Sequence, residues 1–179
     1  MWIVDTDLII NKSKILNVIL SYYLESNSSS IRITRDKYGK PRLLDNEIHF
    51  NLSKRENLNI YAFSRNRPMG VDLECIGQIT NLIKFSSFIF DKSYLKYILS
   101  SRKEQRLKSF YKYWTLYEAY GKFVGDGLRT VLKKPSKNEL KKYFKFHFEP
   151  KTGFIATLVS QKKSKIVIHH TQALLKLMD

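Results

Sequence analysis

Cysteine is almost absent from this chain. A single Cys, at position 75 of 179 residues, excludes an internal disulfide framework and a cysteine-ligated zinc site. Acidic residues are scarce: 16 Asp and Glu stand against 32 Lys and Arg, a formal net charge of +16. That surplus points to an anionic partner, and nucleic acid, a phosphorylated cofactor, an acidic protein or an acidic membrane surface would each satisfy it. Long apolar runs are missing too, none approaching the roughly 18 residues of a membrane span. Asp5 and Asp7 stand where a signal peptide would carry basic residues, so a cytoplasmic protein without membrane association is expected. No Gly-x-Gly-x-x-Gly and no P-loop occurs, which removes those two routes to nucleotide binding. His49, His147, His169 and His170 have no metal-site spacing, no Ser/His/Asp arrangement is recognisable, and the only biased tract is the serine run at 28–30.

What is present suffices for a packed protein. Hydrophobic residues make up 43% and aromatics 13%, enough for one domain or two small lobes packed as one. The pattern predicts a strand over residues 1–8 and a helix over 14–25 capped by Ser13. Strands are expected over 31–34, 49–53, 58–64 and 69–74, an antiparallel succession with turns at 37–41, 54–57 and 65–68. An apolar stretch over 79–90 precedes a helix over 92–100 capped by Asp91, and a longer helix begins near Ser109. Three strands over 144–148, 154–160 and 165–170, joined by hairpin loops at 150–153 and 161–164, complete the chain. Helix-then-sheet in each half predicts an α+β fold of two similar lobes forming a pseudo-dimer, each with an antiparallel sheet packed by helices. The lobes would span 1–66 and 67–179.

The chemistry concentrates in two places. In the long helix Phe110, Trp114, Glu118 and Lys122 follow one another at four-residue spacing and share a face, with Gly125 and Gly127 available to end it. In the strand Gly70-Val71-Asp72-Leu73-Glu74, period two puts Asp72 and Glu74 on one side, with Cys75 on the other as a small hydrophobe. Neighbouring carboxylates repel unless a cation lies between them. Three hard oxygen donors beside a lysine suit Mg²⁺ and a pyrophosphate. Taken singly, Asp-x-Glu on a strand and Glu-x-x-x-Lys on a helix are ordinary surface patterns.

Together they resemble a family. Gly-Val-Asp-Leu-Glu at 70–74, followed after about forty residues by Trp-Thr-x-x-Glu-Ala-x-x-Lys at 114–122 and Gly-x-Gly-Leu at 125–128, is similar to the 4′-phosphopantetheinyl transferases of the Sfp type. Tyr38-Gly39-Lys40-Pro41 and His49-Phe50-Asn51-Leu52-Ser53 resemble two further blocks of that family in the same order. The resemblance implies Mg²⁺-dependent transfer of the phosphopantetheine arm of coenzyme A to a serine of an acidic acyl or peptidyl carrier protein, releasing 3′,5′-ADP. It implies Asp72, Glu74 and Glu118 as metal ligands and Glu118, directly or through a water, as base. It implies Lys122 at the phosphates, Lys40 and Pro41 near the adenine, and Ser53 with its neighbour Lys54 near the phosphates. Asp72 would also meet the coenzyme through the metal.

Two positions depart from the family pattern: Lys54 replaces a histidine and Tyr117 replaces the lysine before the catalytic glutamate. The N-terminal region is shorter than usual for the type, and Lys12, Lys14 or Arg35 could stand in for its basic residues. A monomer is expected, with no nucleic acid bound. The alternatives are a family member that binds coenzyme A or a carrier without turnover, and a basic nucleic-acid-binding module.

Overall fold

The described residues form nine strands and seven α-helices. The structure is a computed structural model that describes residues 1–36, 39–44 and 48–178. In chain order the elements are β1 (Trp2–Asp5), α1 (Ile15–Leu24), β2 (Ile33–Arg35), β3 (Pro41–Leu43), β4 (His49–Arg55), β5 (Leu58–Ser64), β6 (Met69–Cys75), α2 (Leu82–Ile89) and α3 (Lys92–Ser100). Then follow α4 (Arg106–Val124), α5 (Leu128–Leu132), α6 (Lys137–Lys141), β7 (Phe144–Phe148), β8 (Phe154–Ser160), β9 (His169–His170) and α7 (Thr171–Met178). Lys37 and Tyr38 of the expected 37–41 turn lie outside the described residues.

The class is α+β: sheets built mostly of antiparallel pairs, packed by helices. One sheet has the order β4-β5-β1-β9, a second β6-β8-β7, and β2 and β3 form a separate two-stranded ribbon. A core lies between the two larger sheets, with Ile3, Ile60 and Ala62 from the first against Val71, Leu73, Ala156 and Leu158 from the second. The other face of β6-β8-β7 is covered by α4. Strand β8 is therefore buried along its whole length, with Phe154, Ala156 and Leu158 in the inter-sheet core and Val159 in the cluster around α4. Cys75 packs half-buried against the inter-sheet core, in keeping with its reading as a small hydrophobe.

Several local expectations change in this context. Ser13 does not cap α1, because it lies in a preceding tight turn and its hydroxyl bonds Asn11 Oδ1 at 2.8 Å. Asp91 does cap α3, accepting from Tyr94 N at 3.1 Å. Strand β6 does not extend the β4–β5 hairpin but starts the second sheet. Residues 165–170 do not form a hairpin with β8, whose two edges are already taken by β6 and β7. Only His169 and His170 become a strand, and they pair in parallel with β1. Helix α7 then packs Leu174 into the core beneath α1.

Candidate active site

Strand β6 sorts its residues by parity. Val71 and Leu73 enter the inter-sheet core, so Gly70, Asp72 and Glu74 face α4. Gly70 permits the close approach: a Cβ there would lie 2.0 Å from Ala119 O and 2.5 Å from Phe123 N. Across that contact α4 presents its four-residue stripe. Phe110 is buried and stacks parallel to Trp114, with centroids 6.3 Å apart. Trp114 Nε1 donates to Glu74 Oε1 at 3.2 Å. Lys122 Nζ donates to Asp72 Oδ1 at 2.8 Å, Ser53 Oγ at 3.0 Å and Val71 O at 3.1 Å. The helix ends at Gly125, whose φ of +86° suits glycine and whose N–H returns to Gly121 O at 2.9 Å.

Strand β4 closes the site from the first sheet. Its inward side chains satisfy the outer edge of β6: Asn51 Oδ1 accepts from Val71 N at 2.8 Å, and Ser53 Oγ accepts from Leu73 N at 3.2 Å. Ser53 donates in turn to Asp72 Oδ1 at 3.0 Å. With Lys122 as a second donor to it, the hydroxyl uses its one proton and both lone pairs. The two sheets are thus joined at the acidic strand by side chains rather than by a backbone ladder.

Three carboxylate oxygens in this cleft are buried without a hydrogen-bond donor: Asp72 Oδ2, Glu74 Oε2 and Glu118 Oε1. Burial pushes the Glu118 carboxyl up to about 7, and the Asp72 and Glu74 charges add to the effect. Burial likewise raises Asp72, against the pull of Lys122, and raises Glu74, where Asp72 adds to the rise. Orphaned hard oxygens whose charges repel one another are the donor set a small divalent cation requires. Among the described residues no group of three or more His, Cys, Asp or Glu side chains is placed to hold a metal ion. Lys122 stands against Asp72, and Arg55 Nε lies 2.9 Å from Glu74 Oε2 as an ion pair without hydrogen-bond alignment.

Not all of the remaining sequence candidates lie at this centre. Lys40 Nζ donates to Lys122 O at 2.6 Å, near the end of α4. Lys40 and Pro41 line a cavity of about 240 Å³ with Phe123 and Met69. Lys54 is exposed, at the strand position whose neighbours Ser53 and Arg55 both face β6. Tyr117 is fully buried, donating to Pro135 O at 2.8 Å and accepting from Asp91 N at 3.4 Å. One residue from Glu118 is about 100° round a helix, so Tyr117 belongs to the core. Arg35 bonds Gly39 O at 2.9 Å, and Lys12 lies 3.9 Å from Asp7.

Sequence reasoning missed three features. Asn51 and Arg55 share the period of Ser53, a signal present but not used. The third is a buried chain: His147 Nδ1 lies 2.8 Å from Thr157 Oγ1, itself 2.7 Å from Thr115 Oγ1, which bonds Lys112 O at 3.1 Å. Thr115 gives its proton to the carbonyl, so Thr157 donates to Thr115 and His147 Nδ1–H donates to Thr157. Burial drives His147 down to about 4, assisted by Lys112 and Lys145, so near neutral pH the ring is uncharged and carries its proton on Nδ1. Thr157 lies directly across from Asp72 in the sheet, so the chain fixes α4 against the strand that carries the acid.

The family model described as the 4′-phosphopantetheinyl transferase superfamily matches residues 68–173, more than half the chain. The chain is 33% identical over 118 residues to the 4′-phosphopantetheinyl transferase HetI of Nostoc sp., covering 64% of this chain and 50% of that protein. It is 33% identical over 101 residues to the transferase gsp of Aneurinibacillus migulanus, covering 56% and 41%. It is 30% identical over 115 residues to the transferase Sfp of Bacillus subtilis, covering 64% and 50%. The chain therefore spans about half the length of the curated relatives it matches. The matched region holds β6 with its acids, α4 with Glu118 and Lys122, and the strands β7 and β8 that complete the sheet beneath α4: the chain belongs to the 4′-phosphopantetheinyl transferase superfamily.

Proposed function

We propose that this protein transfers the 4′-phosphopantetheine arm of coenzyme A to a serine of an apo acyl or peptidyl carrier protein. The observation that carries the reading is the set of three donorless carboxylate oxygens on β6 and α4 beside the Lys122 ammonium. Asp72, Glu74 and Glu118 would hold Mg²⁺, which would neutralise the pyrophosphate of coenzyme A when bound. Glu118, directly or through a water, takes the proton of the carrier serine as its oxygen attacks phosphorus. The phosphorus–oxygen bond to 3′,5′-ADP breaks, and Lys122 stabilises charge gathering on that leaving group. Lys40 and Pro41 flank the adenine, and Ser53 and Lys54 flank the phosphates. The protein acts in the cytoplasm as a monomer whose chain divides into lobes at 1–66 and 67–179, with β9 and α7 crossing back to pack on the first.

Incubation with coenzyme A, Mg²⁺ and an apo-carrier protein, read by mass spectrometry, tests this: the carrier gains the arm on serine. Binding of either substrate without that gain would make the chain a non-catalytic member of the family. A nucleic-acid-binding module would leave the buried acids unexplained, since carboxylates repel a phosphate backbone; a salt-dependent gel shift would favour it.

Lys122→Ala is expected to lower turnover at saturating coenzyme A about ten- to a hundred-fold, the worth of one charge-assisted contact. It should weaken coenzyme A binding less, because the lysine gains most as charge moves onto the leaving phosphate. An effect confined to the Michaelis constant for coenzyme A would assign Lys122 to ground-state binding.

The carrier is acidic in this reading and docks on α2 and α3. Of the apolar residues there, Ile89 and Phe90 are core, whereas Ile83, Phe85 and Phe88 are exposed, with Lys84, Lys92, Lys96, Arg102 and Lys103 also at the surface. Arg106 is excluded from the docking set because it bonds Ser101 O at 3.2 Å and Leu99 O at 3.1 Å; Lys108 pairs with Glu149. Reversing Lys84, Lys96, Arg102 and Lys103 to glutamate should raise the carrier's Michaelis constant at least about tenfold and leave that for coenzyme A nearly unchanged. No change for the carrier would move docking to another surface.

A further inference from the structure

Arg55 belongs to the site for a reason of strand phase. Asn51, Ser53 and Arg55 are alternate residues of β4, so all three point toward β6. The first two bond the β6 backbone, and the third reaches Glu74. The contact differs from a fixed structural ion pair. A single nitrogen, Nε, lies 2.9 Å from Oε2, the arginine side chain is 52% exposed, and Oε2 remains without a donor aligned to it. The other Glu74 oxygen is held by Trp114 on α4, so the carboxylate keeps its position whether or not the arginine is present. Two cations, Lys122 and Arg55, thus stand against the three carboxylates of a cleft suited to a divalent ion, and Arg55 is the more exposed of the two.

We propose that Arg55 is the exchangeable counter-cation of Glu74: it neutralises this carboxylate in the metal-free protein, yields it to a divalent cation, and then binds the phosphate that accompanies the metal. This rests on the metal reading of Asp72, Glu74 and Glu118 given above. Exchange follows from relative strength. An ion pair made through a single nitrogen, its arginine 52% exposed and its glutamate 16% exposed, is held less firmly than a bidentate one, whereas a divalent cation collects three carboxylates at once. The displaced guanidinium remains tethered beside the metal, and its planar fork suits two phosphate oxygens better than an ammonium does.

The test is isothermal titration of Mn²⁺ into the full chain without coenzyme A, followed by titration of inorganic pyrophosphate into the Mn²⁺-saturated protein. Wild type, Arg55→Gln and Glu74→Gln are compared, each with a thermal melt to establish that it folds. Arg55→Gln should bind Mn²⁺ at least about threefold tighter, since a competitor and a repelling charge are both removed. The same variant should bind pyrophosphate about tenfold more weakly. Weaker Mn²⁺ binding by Arg55→Gln would make Arg55 a residue that orients Glu74, and unchanged binding would make it a bystander; either overturns the exchange. Tighter Mn²⁺ with unchanged pyrophosphate overturns the phosphate half alone. Failure of wild type to bind Mn²⁺, or Mn²⁺ binding undiminished in Glu74→Gln, overturns the metal reading itself and the exchange with it.

Discussion

Glu118→Gln and Asp72→Asn are each expected to reduce transfer about a thousandfold or more while leaving the protein folded. Both replacements keep the shape of the side chain and remove a hard anionic donor. In the proposed mechanism the loss combines a missing metal ligand with a missing base or charge partner, effects that each reach about 10²–10³ in rate. The fold should survive because the native cleft is electrostatically unfavourable without a cation. Burial and the neighbouring acids hold the Glu118 carboxyl at about 7, above its ordinary value of 4.5. An unfolded chain therefore ionises Glu118 first as pH rises. Below about 4.5 both states are protonated and the residue costs nothing; between about 4.5 and 7 the metal-free fold loses stability; above 7 the whole cost is present. Allowing for solvent at this partly exposed group, that cost is about 1–2 kcal/mol. Glu118→Gln should thus be more stable than wild type at pH 8 in a chelator by about that amount, and equal to it near pH 4.5. Urea denaturation at the two pH values reads the difference. A Glu118→Gln protein that is less stable at pH 8 would make the carboxylate a structural group.

Gly70→Ala should cost about 3 kcal/mol or more and disable the site together with the fold. Its Cβ would fall 2.0 Å from Ala119 O and 2.5 Å from Phe123 N, which are backbone atoms of α4 and have no rotamer by which to retreat. Relief requires the helix to move off the strand, and α4 is pinned by Trp114, Lys122 and the Thr115–Thr157 contact. Overpacking of ordinary core positions costs about 1–3 kcal/mol, and a rigid backbone contact stands at or beyond the upper end. Moving α4 would also separate Glu118 from Asp72 and Glu74, so metal affinity should fall in step with stability. Gly77→Ala is the control: its Cβ would meet only Tyr111 Oη, at 3.7 Å, and its cost should stay within about 0.5 kcal/mol. Equal unfolding midpoints for the two variants would show that the β6–α4 interface is loose enough to absorb a methyl group.

The acids and the lysine were legible in the sequence because their placement is local. Period two puts Asp72 and Glu74 on one face of a strand, and a four-residue step puts Trp114, Glu118 and Lys122 on one stripe of a helix, whatever lies across from them. The Asp91 cap and the Gly125 terminus are equally local, since each is satisfied within one turn of its own helix. Tertiary structure decided what no local rule contains: which element lies opposite. Residues 165–170 have the composition of a strand, yet β8 had no edge left to offer, so two of them turned to β1 instead. Tyr117, in the position of a family lysine, became a core residue because the far side of α4 faces the tyrosines and phenylalanines of α3 and the segment before it. The motif Asn-Leu-Ser at 51–53 reads as strand in isolation. Only the approach of β6 turned Asn51 and Ser53 into acceptors for its edge and brought Arg55, rather than Lys54, against Glu74. Side-chain direction is a property of the chain, whereas the partner it meets is set by packing between segments far apart in sequence.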